Sequence, residues 1–134
     1  MIDVLNKATA VKLSATLLRM VAALLLFQPG ALKIFGWFGG MPAGFELTPL
    51  IHAAGLIEVI GGALLFFGLF ARPVAFILSG EMAFAYFIGH FQMAKFWPIQ
   101  NHGEPAVLLC FIFLFFAAYG AGEWSLDGLN RMKK

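Results

Sequence analysis

Several ionisable side chains stand inside or at the ends of long apolar stretches of this sequence, where charge is unexpected. They are Arg19, Lys33, His52, Glu58, Glu81 and His90. An Arg, Lys or Asp at the centre of a lipid bilayer costs about 2.5–3.5 kcal/mol on insertion scales. We therefore expect these groups to pair with one another, to exchange protons or to bind a polar ligand.

The types of these residues point to proton handling or to the binding of a polar ligand inside the membrane. Glu58, Glu81 and His90 are the candidate catalytic residues, because carboxyl and imidazole groups inside a membrane protein can deliver protons. Arg19 could stabilise negative charge on a bound ligand. The residues predicted to bind or frame that ligand are Arg19, Lys33, His52, Tyr86, Asn101 and Glu104.

A structural interpretation of the same residues stays open. Arg19 and Glu81 could form an ion pair that only holds the helices together. Glu58 could be a hydrogen-bonded packing residue, and His90 with Tyr86 could be a packing pair. In that case the charges would stabilise the fold and perform no chemistry.

Motifs that would bring electrons into the protein are absent from the sequence. Cys110 is the single cysteine, which excludes an intrachain dithiol and a CxxC site. No haem, flavin or iron–sulfur motif is recognisable. The residues whose types could bind a metal are His52, His90, His102 and Glu104. Their spacing is not that of a metal site, so we predict no bound metal.

The elements that must position these residues are membrane-spanning helices. The 134 residues are 61% hydrophobic and 12% charged, whereas soluble domains are about 45–50% apolar and about 25% charged. This composition and the net charge of +2 exclude an ordinary soluble enzyme, a disordered chain and a nucleic-acid-binding protein. Bilayer-length apolar runs lie at about residues 13–35, 50–70, 73–94 and 105–122. We predict one all-α domain over residues 1–134, an integral membrane four-helix bundle.

The basic residues predict how this bundle is oriented. Lys7, Lys12, Arg72 and the basic C-terminal tail lie on one side of the membrane, and only Lys33 and Lys95 lie near the other. The positive-inside rule then places both termini in the cytoplasm and the protein in the plasma membrane, the inner membrane of a bacterium.

Helix geometry predicts which polar groups meet. At about 1.5 Å per residue, Arg19 and Glu81 lie about 10–12 Å from the cytoplasmic end, where they can pair, and Glu58 lies about 18 Å deep. On a regular helix Glu81 points away from His90, so the two have different neighbours or the third span is irregular. A cluster near the outer face would comprise Lys33, His52, His90, His102 and Glu104.

Close helix packing is predicted around Glu58. Gly55, Gly61 and Gly62 let another helix approach, as small residues do in membranes. Ala71 and Arg72 form a tight turn, so spans two and three form an antiparallel hairpin. Pro29 should bend the first span.

Five motifs carry a resemblance to a known family by their order and spacing. They are GLIEVIGG at 55–62, GLFARP at 68–73, EMAFAY at 81–86 ahead of His90, NHGE at 101–104 and GAGEWSLD at 120–127. Together they resemble the DoxX family of small membrane proteins, in which NGGE often replaces NHGE. The resemblance implies a four-helix membrane bundle.

The resemblance also implies a quinone-linked redox role, because relatives include the membrane subunit of a thiosulfate:quinone oxidoreductase. The first hypothesis is a quinone-binding oxidoreductase component whose electrons come from a redox protein partner or a small reductant. The alternative is a non-catalytic membrane anchor for a redox partner. A third hypothesis is a small transporter, for which four short helices would require a homo-oligomer.

Overall fold

The chain folds into α-helices joined by short loops in a computed structural model. The structure describes residues 1–134, apart from the side chains of residues 2 and 5. The helices are α1 (Ile2–Phe35), α2 (Pro49–Phe67), α3 (Ala71–Ala85), α4 (Pro98–Asn101), α5 (Glu104–Tyr119) and α6 (Leu126–Met132). The predicted all-α class is confirmed.

Three helical segments are long and apolar enough to cross a membrane. They are Asn6–Phe35, Pro49–Phe67 and Ala71–His90, and α5 is a shorter apolar helix of 16 residues. The helix that contains the first predicted span begins before it, at Ile2, because the polar residues ahead of the span continue the helix. The third ends earlier than predicted, at His90, and α6 was not predicted.

Local signals explain where the helices begin and end. The hydroxyl of Thr48 accepts a hydrogen bond from Ile51 N (3.3 Å) at the start of α2, where Pro49 occupies the first turn. Gly68 ends α2 in the left-handed conformation, with φ of 71°. The predicted hairpin between spans two and three is present, with its turn at Gly68–Phe70, just before the predicted position.

The bundle is built from two closely packed helix pairs. Helix α1 packs along α2, and α3 packs along α5, whereas α1 and α5 make few contacts with each other. Leu26, Leu65, Leu78, Phe113 and Phe116 are fully buried where the pairs meet. The sparse contact between α1 and α5 leaves a cleft between the two pairs.

Glycines set the distance between α1 and α2. A Cβ atom on Gly30 would lie 2.8 Å from Glu58 Cβ and 2.9 Å from Val59 N. A Cβ on Gly62 would lie 3.1 Å from the carbonyl oxygen of Ala23. The predicted close approach around Glu58 is therefore confirmed, and Gly30 is a contact residue that the sequence analysis did not identify.

Both chain termini lie at the same end of the bundle. Lys12 Nζ is 2.9 Å from Glu123 Oε1, which joins the N-terminal part of α1 to the segment before α6. At that end the carboxylate of Asp127 accepts hydrogen bonds from Phe70 N (3.0 Å) and Ala71 N (2.9 Å), at the start of α3. The placement of the two chain termini in the cytoplasm stays a prediction from the distribution of Lys and Arg.

The third span is irregular. This was one of the two sequence-based explanations for the opposite directions of Glu81 and His90 on a regular helix. Helix α3 continues into a single π-helical turn, Tyr86–His90. Such a turn adds a residue to the helical repeat and rotates everything beyond it. It therefore changes the direction of His90 relative to Glu81.

The substitution Gly30→Ala should destabilise the fold, because the backbone of α2 cannot move away from the added methyl group. We expect a loss of about 1–3 kcal/mol, measured as the midpoint of SDS-induced unfolding in mixed micelles. Gly80→Ala is the matched control, since a Cβ there meets nothing within 4 Å. Equal midpoints for the two variants would contradict the predicted contact.

Candidate functional site

The largest feature inside the bundle is the cleft between α1 and α5. It has a volume of about 670 Å³ and is bounded by α1, α5, the C-terminal half of α3 and Glu58 of α2. Its charged or titratable lining groups are Lys33, Glu58 and His90. Much of the remaining wall is aliphatic, including Leu18, Val21, Leu25, Leu26, Leu109 and Ile112.

An ion pair lies at the polar end of this cleft. Lys33 Nζ donates to both carboxylate oxygens of Glu58, each at 2.7 Å. The Glu58 side chain is 5% exposed and that of Lys33 is 19% exposed. Because Gly30 allows α1 to contact α2 beside Glu58, Lys33 one turn later reaches the carboxylate.

The Lys33–Glu58 pair was not among the sequence-based predictions. The depth argument placed Lys33 near the outer surface and Glu58 near the midplane, because it treated each side chain as lying level with its backbone. The lysine side chain is long enough to reach down into the bundle. The register between α1 and α2 could not be read from the sequence.

Glu81 lies close to this pair but does not form hydrogen bonds with it. Both carboxylate oxygens of Glu81 are buried, and neither has a hydrogen-bond partner in the described part of the chain. The carboxyl group of Glu81 is close enough to Glu58 and Lys33 to interact electrostatically with both. Lys33 is hydrogen-bonded to Glu58, so Glu81 is the acid without a hydrogen-bonded counter-ion among the described residues.

Three more of the predicted residues form a network beside the cleft. His90 Nδ1 is 3.2 Å from the carbonyl oxygen of Asn101. Asn101 Nδ2 donates to Tyr86 Oη (3.3 Å) and to the carbonyl of Lys95 (3.1 Å), and Tyr86 Oη donates to the carbonyl of Phe96 (3.3 Å). Tyr86 and Asn101 therefore hold the loop that positions His90.

The hydrogen bond of His90 determines its neutral tautomer. A carbonyl oxygen can only accept, so Nδ1 of a neutral His90 carries the proton. Nε2 is then a hydrogen-bond acceptor, and it becomes a donor when the ring is protonated.

The predicted ion pair between Arg19 and Glu81 is wrong. Arg19 is 1% exposed, and its guanidinium donates to three carbonyl oxygens: Nη1 to those of Leu65 (2.8 Å) and Phe66 (2.6 Å), and Nη2 to that of Trp124 (2.9 Å). Both α2 carbonyls belong to its last turn: Leu65 O also accepts from Gly68 N (3.1 Å), whereas Phe66 O has no backbone donor among the described residues. Arg19 therefore joins α1, α2 and the segment before α6, away from the cleft.

The predicted outer cluster of five residues is not assembled as such. Lys33 and His90 line the cleft, whereas His52, His102 and Glu104 are exposed on the surface. His102 has a positive φ of 58° after α4, a conformation that favours glycine. The described residues include no group of three potential metal ligands.

Comparison with known proteins identifies the family. The DoxX family profile matches residues 14–91, which include Arg19, Lys33, Glu58, Glu81 and His90. This chain belongs to the DoxX family. The resemblance found in the motifs is thereby confirmed, and the apolar helices are those of a DoxX family membrane protein.

A relative from Haemophilus influenzae (strain ATCC 51907 / DSM 11121 / KW20 / Rd) is 42% identical over 114 residues. The alignment covers 82% of this chain and 85% of the relative, which is described as an uncharacterized protein. No solved structure gives a significant match to the chain.

The substitution Arg19→Gln should destabilise the fold strongly. It removes the guanidinium donor from the carbonyl oxygens of Phe66 and Trp124 and one of the two donors to Leu65 O, and we expect a loss of about 3 kcal/mol or more. SDS-induced unfolding measures this loss, with Lys7→Gln as a control that removes an exposed cation. A stability change no larger than that of the control would contradict the assigned contacts.

The pair formed by Lys33 and Glu58 should show strong energetic coupling. We expect each single variant, Lys33→Met and Glu58→Gln, to lose stability because it strands a buried polar partner. The double variant should lose at least about 1.5 kcal/mol less than the sum of the two single losses. Additive losses in a double-mutant cycle would show that the two groups do not interact.

Proposed function

We propose that this DoxX family member is a quinone-binding component of a membrane oxidoreductase, and that the quinone binds in the cleft between α1 and α5. The observation that carries this proposal is the shape and polarity of that cleft. It combines a long aliphatic wall with Lys33, Glu58 and His90 at one end. A ligand with a small polar head and a long apolar tail is the chemical class that such a cleft accommodates.

The cleft is also reachable from the lipid phase. Leu18, Val21, Leu25 and Leu108 all line it, and each is 42–63% exposed on the outer surface of the bundle. In a membrane this surface faces lipid acyl chains. An isoprenoid tail could therefore remain in the bilayer or along the aliphatic wall while the head group reaches the polar end.

The polar end offers suitable partners for the oxygen atoms of a quinone head group. Lys33 can donate a hydrogen bond, although Glu58 competes for the same ammonium group. His90 Nε2 accepts from a quinol hydroxyl when the ring is neutral and donates to a quinone oxygen when it is protonated. When bound, a quinone would supply two-electron, two-proton redox chemistry.

Glu81 is the best candidate for storing a proton near this head group. Its buried carboxylate oxygens have no hydrogen-bond donor among the described residues, and the one nearby lysine is hydrogen-bonded to Glu58. A proton on the Glu81 carboxyl removes an uncompensated charge from the interior. Transfer of that proton towards Glu58 or the head group would redistribute one negative charge within the cluster.

The electrons must come from outside this chain in this proposal, from a redox protein partner or a small reductant. We place the protein in the plasma membrane with both termini in the cytoplasm, as the basic residues predict. The polar end of the cleft then lies towards the outer face. Glu104, exposed at the start of α5, would lie near this end of the cleft.

The proposal is tested by extracting the purified protein and quantifying bound quinone by mass spectrometry. We expect near-stoichiometric quinone in the wild type and about tenfold less in Leu25→Trp, where the larger ring fills the mouth of the cleft. Leu24→Trp is the matched control, because Leu24 is similarly exposed but lines a different groove, beside α2. It should retain the quinone.

Two results would overturn the quinone assignment. One is phospholipid alone in repeated wild-type preparations, which would favour the non-catalytic anchor for a redox partner. The other is equal loss of quinone in Leu24→Trp and Leu25→Trp, which would mean that quinone associates with the protein surface. A folded Leu25→Trp protein, verified by its SDS unfolding midpoint, is required for this comparison.

A further inference from the structure

A second cavity lies at the end of the bundle where the termini meet, opposite the polar end of the cleft. It has a volume of about 420 Å³ and lies between the start of α3, the end of α5 and α6. None of the residues that line it lines the cleft. Its principal lining residues are Phe70, Arg72, Tyr119, Gly120, Arg131 and Lys134.

The side chains around this cavity give it a positive charge. Arg72, Arg131 and Lys134 line it, and none of them forms a salt bridge within the described part of the chain. Asp127 is the acidic side chain in the lining, but its two oxygens accept hydrogen bonds from Phe70 N and Ala71 N. Its charge is therefore already partly compensated by the first turn of α3.

Arg72 is held in a position that leaves part of its guanidinium available. Its Nε donates to the carbonyl oxygen of Ala117 (3.1 Å), and its aliphatic stem passes close to Gly120. The two terminal nitrogens form no hydrogen bond within the described residues and can donate to a ligand. This fork geometry matches the oxygen atoms of a phosphate group.

The exposed apolar face of α6 favours a position of this cavity at the membrane surface. Leu126, Leu129 and Met132 are spaced three residues apart on α6 and are 41%, 48% and 73% exposed. Side chains at this spacing share one face of a helix, and an exposed apolar face beside basic residues is typical of a helix lying in the bilayer interface. Trp124, 50% exposed, is another residue typical of that region.

We propose that this cavity binds the phosphate of an anionic phospholipid head group. Arg72 and Arg131 would contact the phosphate oxygens, with Lys134 adding positive charge. Phe70 and Tyr119 are 62% and 43% exposed beside the cavity, and they would contact the glycerol and the first acyl carbons. A free phosphate ion would use the same cations but not this apolar rim, which is why a lipid is favoured. The proposal is independent of quinone binding.

Native mass spectrometry of the detergent-purified protein tests this assignment. The protein is titrated with phosphatidylglycerol, with phosphatidylcholine and with inorganic phosphate. We expect selective binding of phosphatidylglycerol and about tenfold weaker binding in the double variant Arg72→Gln/Arg131→Gln, since each cation near a membrane surface adds to the attraction of anionic lipid. The control Lys7→Gln/Lys133→Gln removes the same number of charges outside the cavity and should bind like the wild type.

The single variant Arg131→Gln guards against a folding defect. Arg131 forms no side-chain hydrogen bond within the described residues, so its removal should weaken lipid binding without changing the SDS unfolding midpoint. Equally weakened phosphatidylglycerol binding in the control double variant would show that the effect comes from overall surface charge, and it would overturn the proposal. Equal affinity for phosphatidylcholine, or saturation by inorganic phosphate alone, would overturn it as well.

Discussion

The ion pair between Lys33 and Glu58 is the interaction on which the arrangement of the cleft depends. Each charge would be costly in lipid, and each is acceptable because the other lies 2.7 Å away. The pair requires α1 and α2 to be close, and Gly30 provides that proximity by leaving no side chain between α1 and Glu58. Because α1 is held against α2, α1 makes few contacts with α5, and the cleft forms between α1 and α5.

Buried charged groups have different hydrogen-bond surroundings at the two ends of the bundle. At the end that holds the termini, Arg19 donates to three carbonyl oxygens and leaves only its Nε without a partner among the described residues, and Asp127 caps α3, so the polar groups mainly stabilise the fold. At the other end Glu81 has buried oxygens without a partner, and His90 keeps one ring nitrogen outside its hydrogen bond. Uncompensated polar groups next to a cavity are typical of a binding site, because a ligand can supply the missing contacts.

The all-helical class and approximate positions of the apolar helices could be predicted because they depend on composition and on runs of apolar residues. The importance of Gly55, Gly61 and Gly62 was also predictable, since small residues in membrane helices mark close contacts. The partners of the charged residues were not predictable in the same way. Arg19 binds backbone carbonyls, and an acceptor that every residue possesses leaves no signal in the sequence.

The sequence by itself determined which residues would be costly in a membrane: Arg19, Lys33, Glu58 and Glu81 are charged residue types within apolar surroundings. Only the tertiary structure decided how each cost is met, because partner choice depends on the register of the antiparallel helices. A shift of one residue rotates a helical side chain by about 100° and changes its neighbour. That sensitivity is why Glu58 pairs with Lys33 while Glu81, on α3, is left without a hydrogen-bond partner among the described residues.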